Sequence, residues 1–462
     1  MTFMKNLELK PTEENIFKTI DEDIFNRNDV LRNFYDILVS QEDSEMIALD
    51  GKWGSGKTFF IKQEIILLKA MNPDVKEDRD KLNRVKYKIM GERNLDPVKA
   101  NMLPVYYDAW QNDNDIDPIV SLCCEIADQI GEEFSPSSEF DKKKALVAIA
   151  DHFLNTNIGE ICDSVKVNEY VEHLLNRRRL EDDVRDFFNG LCDEKANRII
   201  IFIDELDRCK PSYAVRLLEQ IKHYMCDERI TFVLAINTTQ LQHTIRHFYG
   251  SEFDACRYLD RFFDLRTSLP AVNMNRFYES IGVYDSEMID IVGKALINEY
   301  RLDLREITRF MGALNQIKET VITRVRLGSY DEVEGRKLIN YMIIPVVIVL
   351  HMTDINAYNR FIDGEDESPL IRMYNAEPYN FIWFISHMLN KDESLEKDEG
   401  KKLVTPEDVL KNVYNAVFGK HAYYDKDVIV LGSCRFRRSS KEYAMAVAGM
   451  LFDRKLIMRD TM

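Results

Sequence analysis

Asp50-Gly51-Lys52-Trp53-Gly54-Ser55-Gly56-Lys57-Thr58 fits the pattern G-x-x-x-x-G-K-[ST] at every fixed position. Residue types in that order suit the capture of a nucleoside triphosphate. Glycines let a backbone approach phosphates with no Cβ in the way. The N–H groups of such a loop, together with the N-terminus of the next helix, face the anion. Gly51, Trp53, Gly54, Ser55, Gly56, Lys57, Thr58 and Phe59 are the expected binding residues. Lys57 would reach the β- and γ-phosphates, and the Thr58 hydroxyl would ligate Mg²⁺.

A second segment adds chemistry to binding. Arg198 to Asp207 reads RIIIFIDELD, an apolar run that ends abruptly in acids. A buried parallel strand whose carboxyl end opens into a site has this appearance. Asp204 is the second expected Mg²⁺ residue, acting through water because Mg²⁺ dehydrates reluctantly. Glu205 is then placed to orient and polarise an attacking water, and phosphoryl transfer asks for little more than such positioning. Taken alone, acids after a strand also fit helix capping. Alongside the glycine loop, the catalytic reading prevails.

These residues need elements to position them. Met46-Ile47-Ala48-Leu49 reads as a strand entering the loop, and Phe59 to Leu68 as the helix leaving it. Further strands are expected at Leu103–Tyr107, Ile199–Ile203, Ile230–Ile236 and Phe263–Leu269, with helices between them. Strands alternating with helices imply a three-layer α/β/α fold on a parallel sheet. Residues 1–44 read as a helical entry segment and 45–270 as the core, with helical insertions at about 72–100 and 132–195. Residues 271–330 then form a helical lid, and 331–462 a mainly helical C-terminal domain.

Composition narrows the class. The 79 acidic and 62 basic residues give a net charge of −17, which opposes general coating of nucleic acid. Basic patches at Arg177–Arg179 and at Arg435, Arg437, Arg438 and Lys441 read as solvated faces or partner contacts. The N-terminus MTFMKNLELKPTEEN lacks the apolar core of a signal peptide. The run Tyr341–Leu350, which contains Pro345, is too short to span a bilayer. No C-x-x-C pair occurs among the eight cysteines, so they read as reduced thiols. A cytoplasmic protein with no membrane role is expected. No guanine-reading N-K-x-D motif follows the strands, so ATP is the expected nucleotide.

The run from Phe202 to Gly250, together with YLDRFFDLRTSLP (258–270) and VYYDAWQND (105–113), resembles the KAP family of P-loop NTPases. The likeness extends from about Lys10 to Lys318. The family is a branch of the additional-strand NTPases, close to the AAA+ and STAND groups, and is linked with phage exclusion or membrane signalling. This chain departs from it in two ways. It lacks transmembrane hairpins between the two nucleotide motifs, and it has Asp108 where the family more often has Asn before Ala-Trp or Pro-Trp.

The resemblance implies further roles. Asn237 would be a polar sensor beside the γ-phosphate, or else a plain turn-forming Asn. Arg261, or alternatively Arg257, would be an arginine finger reaching a neighbouring subunit of a homo-oligomer; an internal salt bridge is the competing reading. Arg305, or Arg309 one turn on, would be the lid sensor. Ile24 and Phe25 are adenine contacts or core residues. Three functions compete. The first is an ATPase driving a conformational switch or assembly, in an anti-phage or other stress module. The second is a slow nucleotide switch that recruits a protein partner through residues 331–462, and the third a P-loop small-molecule kinase.

Overall fold

The computed structural model describes residues 10–41, 43–73, 75, 78–92, 101–115, 117–133, 183–184, 186–187, 197–224, 228–284, 287–318, 330–376, 381, 385, 405–420 and 427–452. The Arg177–Arg179 patch and nearly all of the 132–195 insertion lie outside them. Two compact units emerge, Lys10–Arg276 and, in the described part of the other, Phe277 onward.

The first unit is built on five parallel strands: β1 (Glu45–Asp50), β2 (Met102–Asp108), β3 (Arg198–Asp204), β4 (Ile230–Ile236) and β5 (Leu265–Ser268). Their order is β2-β3-β4-β1-β5, so β4 is inserted between the glycine-loop strand and the acidic strand. β3 and β4 are apolar and buried throughout their centres, as expected of strands covered on both faces. Register aligns the carboxyl ends: Asp108 pairs with Asp204, Asp204 with Ala235, and Asp50 with Ile236. Ligands of open α/β sheets bind beyond such an edge. β5 is shorter than expected because Asp264 ends the chain's approach, its N–H and carboxylate both engaging the Met46 backbone.

Helices α1 (Glu13–Asp21), α2 (Asn28–Ser40), α3 (Lys57–Met71) and α4 (Arg79–Met90) pack together as one layer. The other layer contains α5 (Pro118–Glu133), α6 (Pro211–Tyr224), α7 (Thr238–Tyr249) and the short α8 (Ala255–Asp260). α4 falls in the expected charged insertion, yet Leu82, Val85, Ile89 and Met90 are buried, so it is part of the layer. β2 lies at the sheet edge, where Gln129 of α5 accepts the Tyr106 N–H (3.0 Å) and donates to its carbonyl (2.6 Å). An open backbone pair is thereby closed by a side chain.

Past α9 (Met274–Ser280) come α10 (Met288–Tyr300) and α11 (Leu304–Gln316). The chain continues through α12 (Tyr330–Leu338), a π-helical segment (Ile339–Ile343), α13 (Ile344–Thr353), α14 (Ile355–Ile362), α15 (Ser368–Ala376) and α16 (Pro406–Phe418). The apolar run around Pro345 is a buried helix, with Pro345 tolerated near the N-terminus of α13. β6 (Val428–Leu431) and β7 (Cys434–Arg437) form an antiparallel hairpin that leads into α17 (Ser439–Phe452). Its two-residue turn starts at Gly432, whose φ of 58° suits such a turn. No helix of the described residues is long and apolar enough to cross a membrane.

Candidate functional site

The glycine loop joins β1 to α3, and two of its glycines carry the left-handed backbone the turn needs, Gly54 at φ 71° and Gly56 at φ 89°. Gly51 leaves room in the loop: a Cβ there would lie 2.8 Å from Ser55 Oγ and 3.3 Å from Lys57 Cγ, so those side chains would have to shift. The Lys57 ammonium is buried at the loop's centre, donating to the carbonyls of Gly51 (2.7 Å) and Lys52 (3.3 Å). Burial lowers its pKa, opposed by Asp207, Asp204, Glu205 and Asp50. Ser55 Oγ is buried with no hydrogen-bond partner among the described residues. An orphaned hydroxyl inside a glycine cradle fits a loop completed by a ligand.

The Thr58 hydroxyl donates to Asp204 Oδ2 at 2.7 Å, so the two expected Mg²⁺ residues from distant parts of the sequence stand side by side. Two adjacent hard oxygens beside a phosphate cradle fit that ion. Tyr106 also donates to Asp204 Oδ2 (3.3 Å). Burial raises the Asp204 pKa, while Thr58 and the Glu205 N–H oppose the shift. Phe59 is buried and meets Phe25 edge-on at 5.6 Å; Ile24 is buried as well.

Glu205 adopts φ 60°, a conformation uncommon outside glycine, at the turn from β3 into a single 3-10 turn, Leu206–Arg208. Burial and the neighbouring Asp204 push its pKa up to about 6, and Arg208 pulls the other way. Arg208 Nε stands 2.5 Å from Glu205 Oε2, but its N–H is not aligned on that oxygen, so the contact is chiefly Coulombic. The guanidinium lies over two exposed indoles, 5.6 Å from the Trp53 ring and 5.7 Å from the Trp110 ring. Trp53 in turn donates its indole N–H to Asp207 at 2.5 Å.

Sequence reasoning missed three of these partners. Asp207 and Arg208 sit in the acidic segment but were given no role there. Arg27 is buried, donates to the Ser55 carbonyl (3.1 Å) and the Pro270 carbonyl, and has its pKa lowered by burial to about 10. A lone arginine just ahead of an amphipathic stretch, Val30 to Val39, carries no local signal of loop anchoring. A third acid three residues beyond Asp204 was the available hint for Asp207.

The remaining candidates fall into separate places. Asn237 closes β4 and caps α7, its Oδ1 accepting the Gln240 N–H at 3.3 Å. Arg257 pairs with Asp254 (3.7 Å), while Asp260 is taken by Arg266 (2.5 Å) and Asp264 by Lys222 (3.8 Å). Arg261 is exposed, and its guanidinium has no ion pair or hydrogen bond among the described residues. Arg305 and Arg309 are both exposed on α11, in the second unit.

A parallel sheet with an inserted strand, a glycine loop and an acidic strand end define a P-loop NTPase domain. The model described as the KAP family P-loop domain matches residues 27–321, and the chain belongs to the KAP family. No curated protein matches it significantly. Among solved structures, the Aeropyrum pernix ORC1 protein in complex with DNA aligns over 91% of this chain and 92% of its own. Identity is 13% and the TM-score 0.33, too low to carry fold or ligand across.

Proposed function

We propose that this chain is a Mg²⁺-dependent ATPase of the cytoplasm whose nucleotide cycle drives a conformational switch or assembly. The observation that carries the reading is the Thr58–Asp204 hydrogen bond at 2.7 Å, which joins the phosphate loop to the acidic strand end beside Glu205. Mg²⁺ held by Thr58 and Asp204 would supply charge neutralisation at the phosphates. Lys57 exchanges its two loop carbonyls for phosphate oxygens, and the loop amides orient the chain of phosphates. Glu205 accepts the proton of the attacking water. Arg208, in contact with the two tryptophan rings, holds that carboxylate ionised in a site whose burial works against the charge. Asn237 is the polar sensor in this reading, and its capping bond to α7 would relay the state of the site to that helix.

Arg261 is the finger offered to a second copy: every nearby acid in its segment already has another partner, so the internal salt bridge loses its acceptor. Arg305 is the lid sensor. Residues 331–462 carry the signal to a protein partner, and the family's link with phage exclusion supports a role for the cycle in a defence module.

A second reading, a slow nucleotide-retaining switch, is favoured by the Arg208 contact, which could hold Glu205 idle until a partner releases it. Phosphate release by the purified chain over a concentration series, with Glu205→Gln as blank, separates the two. Turnover that rises more than proportionally with concentration supports the oligomeric ATPase. Release at the blank level, with nucleotide bound, supports the switch.

A further inference from the structure

Residues 428–441 contain no acidic side chain and four cationic ones, Arg435, Arg437, Arg438 and Lys441, in a chain whose net charge is −17. The fold concentrates this charge further. In β7 Cys434 and Phe436 are buried, so strand alternation sends Arg435 and Arg437 to the opposite, exposed face. Gly335 of α12 lies directly against the β7 backbone: a Cβ there would stand 2.5 Å from the Arg435 carbonyl oxygen. That close approach brings the next residue, Arg336, into one cavity with Arg435 and Arg437.

The cavity holds about 370 Å³. Ser439, Ser440 and Tyr443, from the start of α17, complete its polar lining, and Glu442 is the one acid among the described residues that line it. Three arginines and one carboxylate thus share the lining among the described residues. Arg336 lies 5.4 Å over the Tyr443 ring, and the Tyr443 hydroxyl donates to buried Asn340 at 2.9 Å. One guanidinium plane is thus oriented before a ligand arrives. Ser440 Oγ accepts the Arg437 N–H (2.9 Å) at the entry to α17, a helix of 14 residues whose positive end adds to the field.

We propose that this cavity is a second anion site, which takes the phosphate group of a ligand distinct from the nucleotide of the glycine loop. Guanidinium forks match the paired oxygens of a tetrahedral oxyanion, and several forks lining one cavity suit a dianion better than a single carboxylate. The volume falls within the range of small-molecule sites, roughly 300–1,000 Å³, and exceeds one phosphate, so the group is carried on a larger body. That body is either a free phosphorylated small molecule or a phosphodiester chain.

The test uses the full chain carrying Lys57→Ala, so that the glycine loop contributes no phosphate binding of its own. Calorimetric titration with inorganic pyrophosphate, and separately with a short DNA duplex, is repeated on the same chain with R435Q and R437Q. A pyrophosphate Kd below about 1 mM that weakens at least tenfold in the double variant is expected. Duplex binding without pyrophosphate binding, lost in the double variant, assigns the phosphate to a phosphodiester chain. Binding that survives R435Q and R437Q, or the absence of binding by both probes, overturns the proposal. Unchanged melting and unchanged ATP affinity of R435Q/R437Q in the Lys57-containing chain serve as the folding control. If that control fails, Arg336→Gln replaces the pair. The result does not depend on whether the glycine loop hydrolyses ATP.

Discussion

Lys57 is surrounded by four carboxylates, Asp207, Asp204, Glu205 and Asp50, that offset the penalty of burying its charge. Lys57→Ala therefore removes the cation that a triphosphate needs and leaves the acids facing its phosphates. Loss of ATP affinity by at least about a hundredfold is expected in equilibrium dialysis, on the scale of one strong charge-assisted contact. Arg208 acts on a different quantity. A water-activating carboxylate works ionised, so turnover should fall as pH drops through its pKa, near 6 in the free chain. Arg208 lowers that pKa, so Arg208→Ala should move the acid limb of the kcat profile to higher pH while ATP affinity stays unchanged. An unmoved limb with depressed kcat at all pH values would show that Arg208 supports the fold and not the charge of Glu205.

Within α3, Glu64 is fully buried, and neither carboxylate oxygen has a hydrogen-bond partner among the described residues. Burial, with Asp36 nearby, raises its pKa well above 4.5. A folded-state pKa raised in an acid means that the folded chain holds the proton more tightly. Its stability contribution is full below the unfolded pKa and declines as pH rises toward the folded value. The decline approaches about 1.4 kcal/mol per pH unit in that window. Glu64→Gln removes it, so the variant's melting temperature should match wild type at acid pH and exceed it increasingly as pH rises toward the folded value. Equal pH slopes in the two proteins would refute this account of α3. The same helix begins at the phosphate loop, so stability and site geometry are tied to one element.

At the scale of the whole molecule, the proposed association of copies is tested through Arg261. Asp254, Asp260 and Asp264 are each paired with other cations, which leaves Arg261 exposed beyond α8. The proposed finger role assigns it to the site of a second copy. Arg261→Ala and Glu205→Gln should each be inactive alone. Mixed, they should recover a measurable fraction of wild-type phosphate release, because some interfaces join an intact finger to an intact acid. No recovery in mixed oligomers shown to form by light scattering would remove Arg261 from catalysis in trans.

Much of this was readable along the chain because it is local. The glycine loop encodes its own turn through glycine φ angles and fixed spacing, the apolar runs encode strands, and their alternation with helices encodes a parallel sheet. Asp204 and Glu205 were recognisable because an apolar run stops at them. Contacts between remote segments were not readable in this way. Trp53 meets Asp207 across 154 positions, and Arg27 meets Ser55 across 28. The hairpin with its arginines meets α12 through the packing of Gly335. Such pairs depend on strand order, above all the insertion of β4 between β1 and β3, and on which faces pack. Local periodicity specifies an element and its buried face, but not the neighbour against which that face comes to rest.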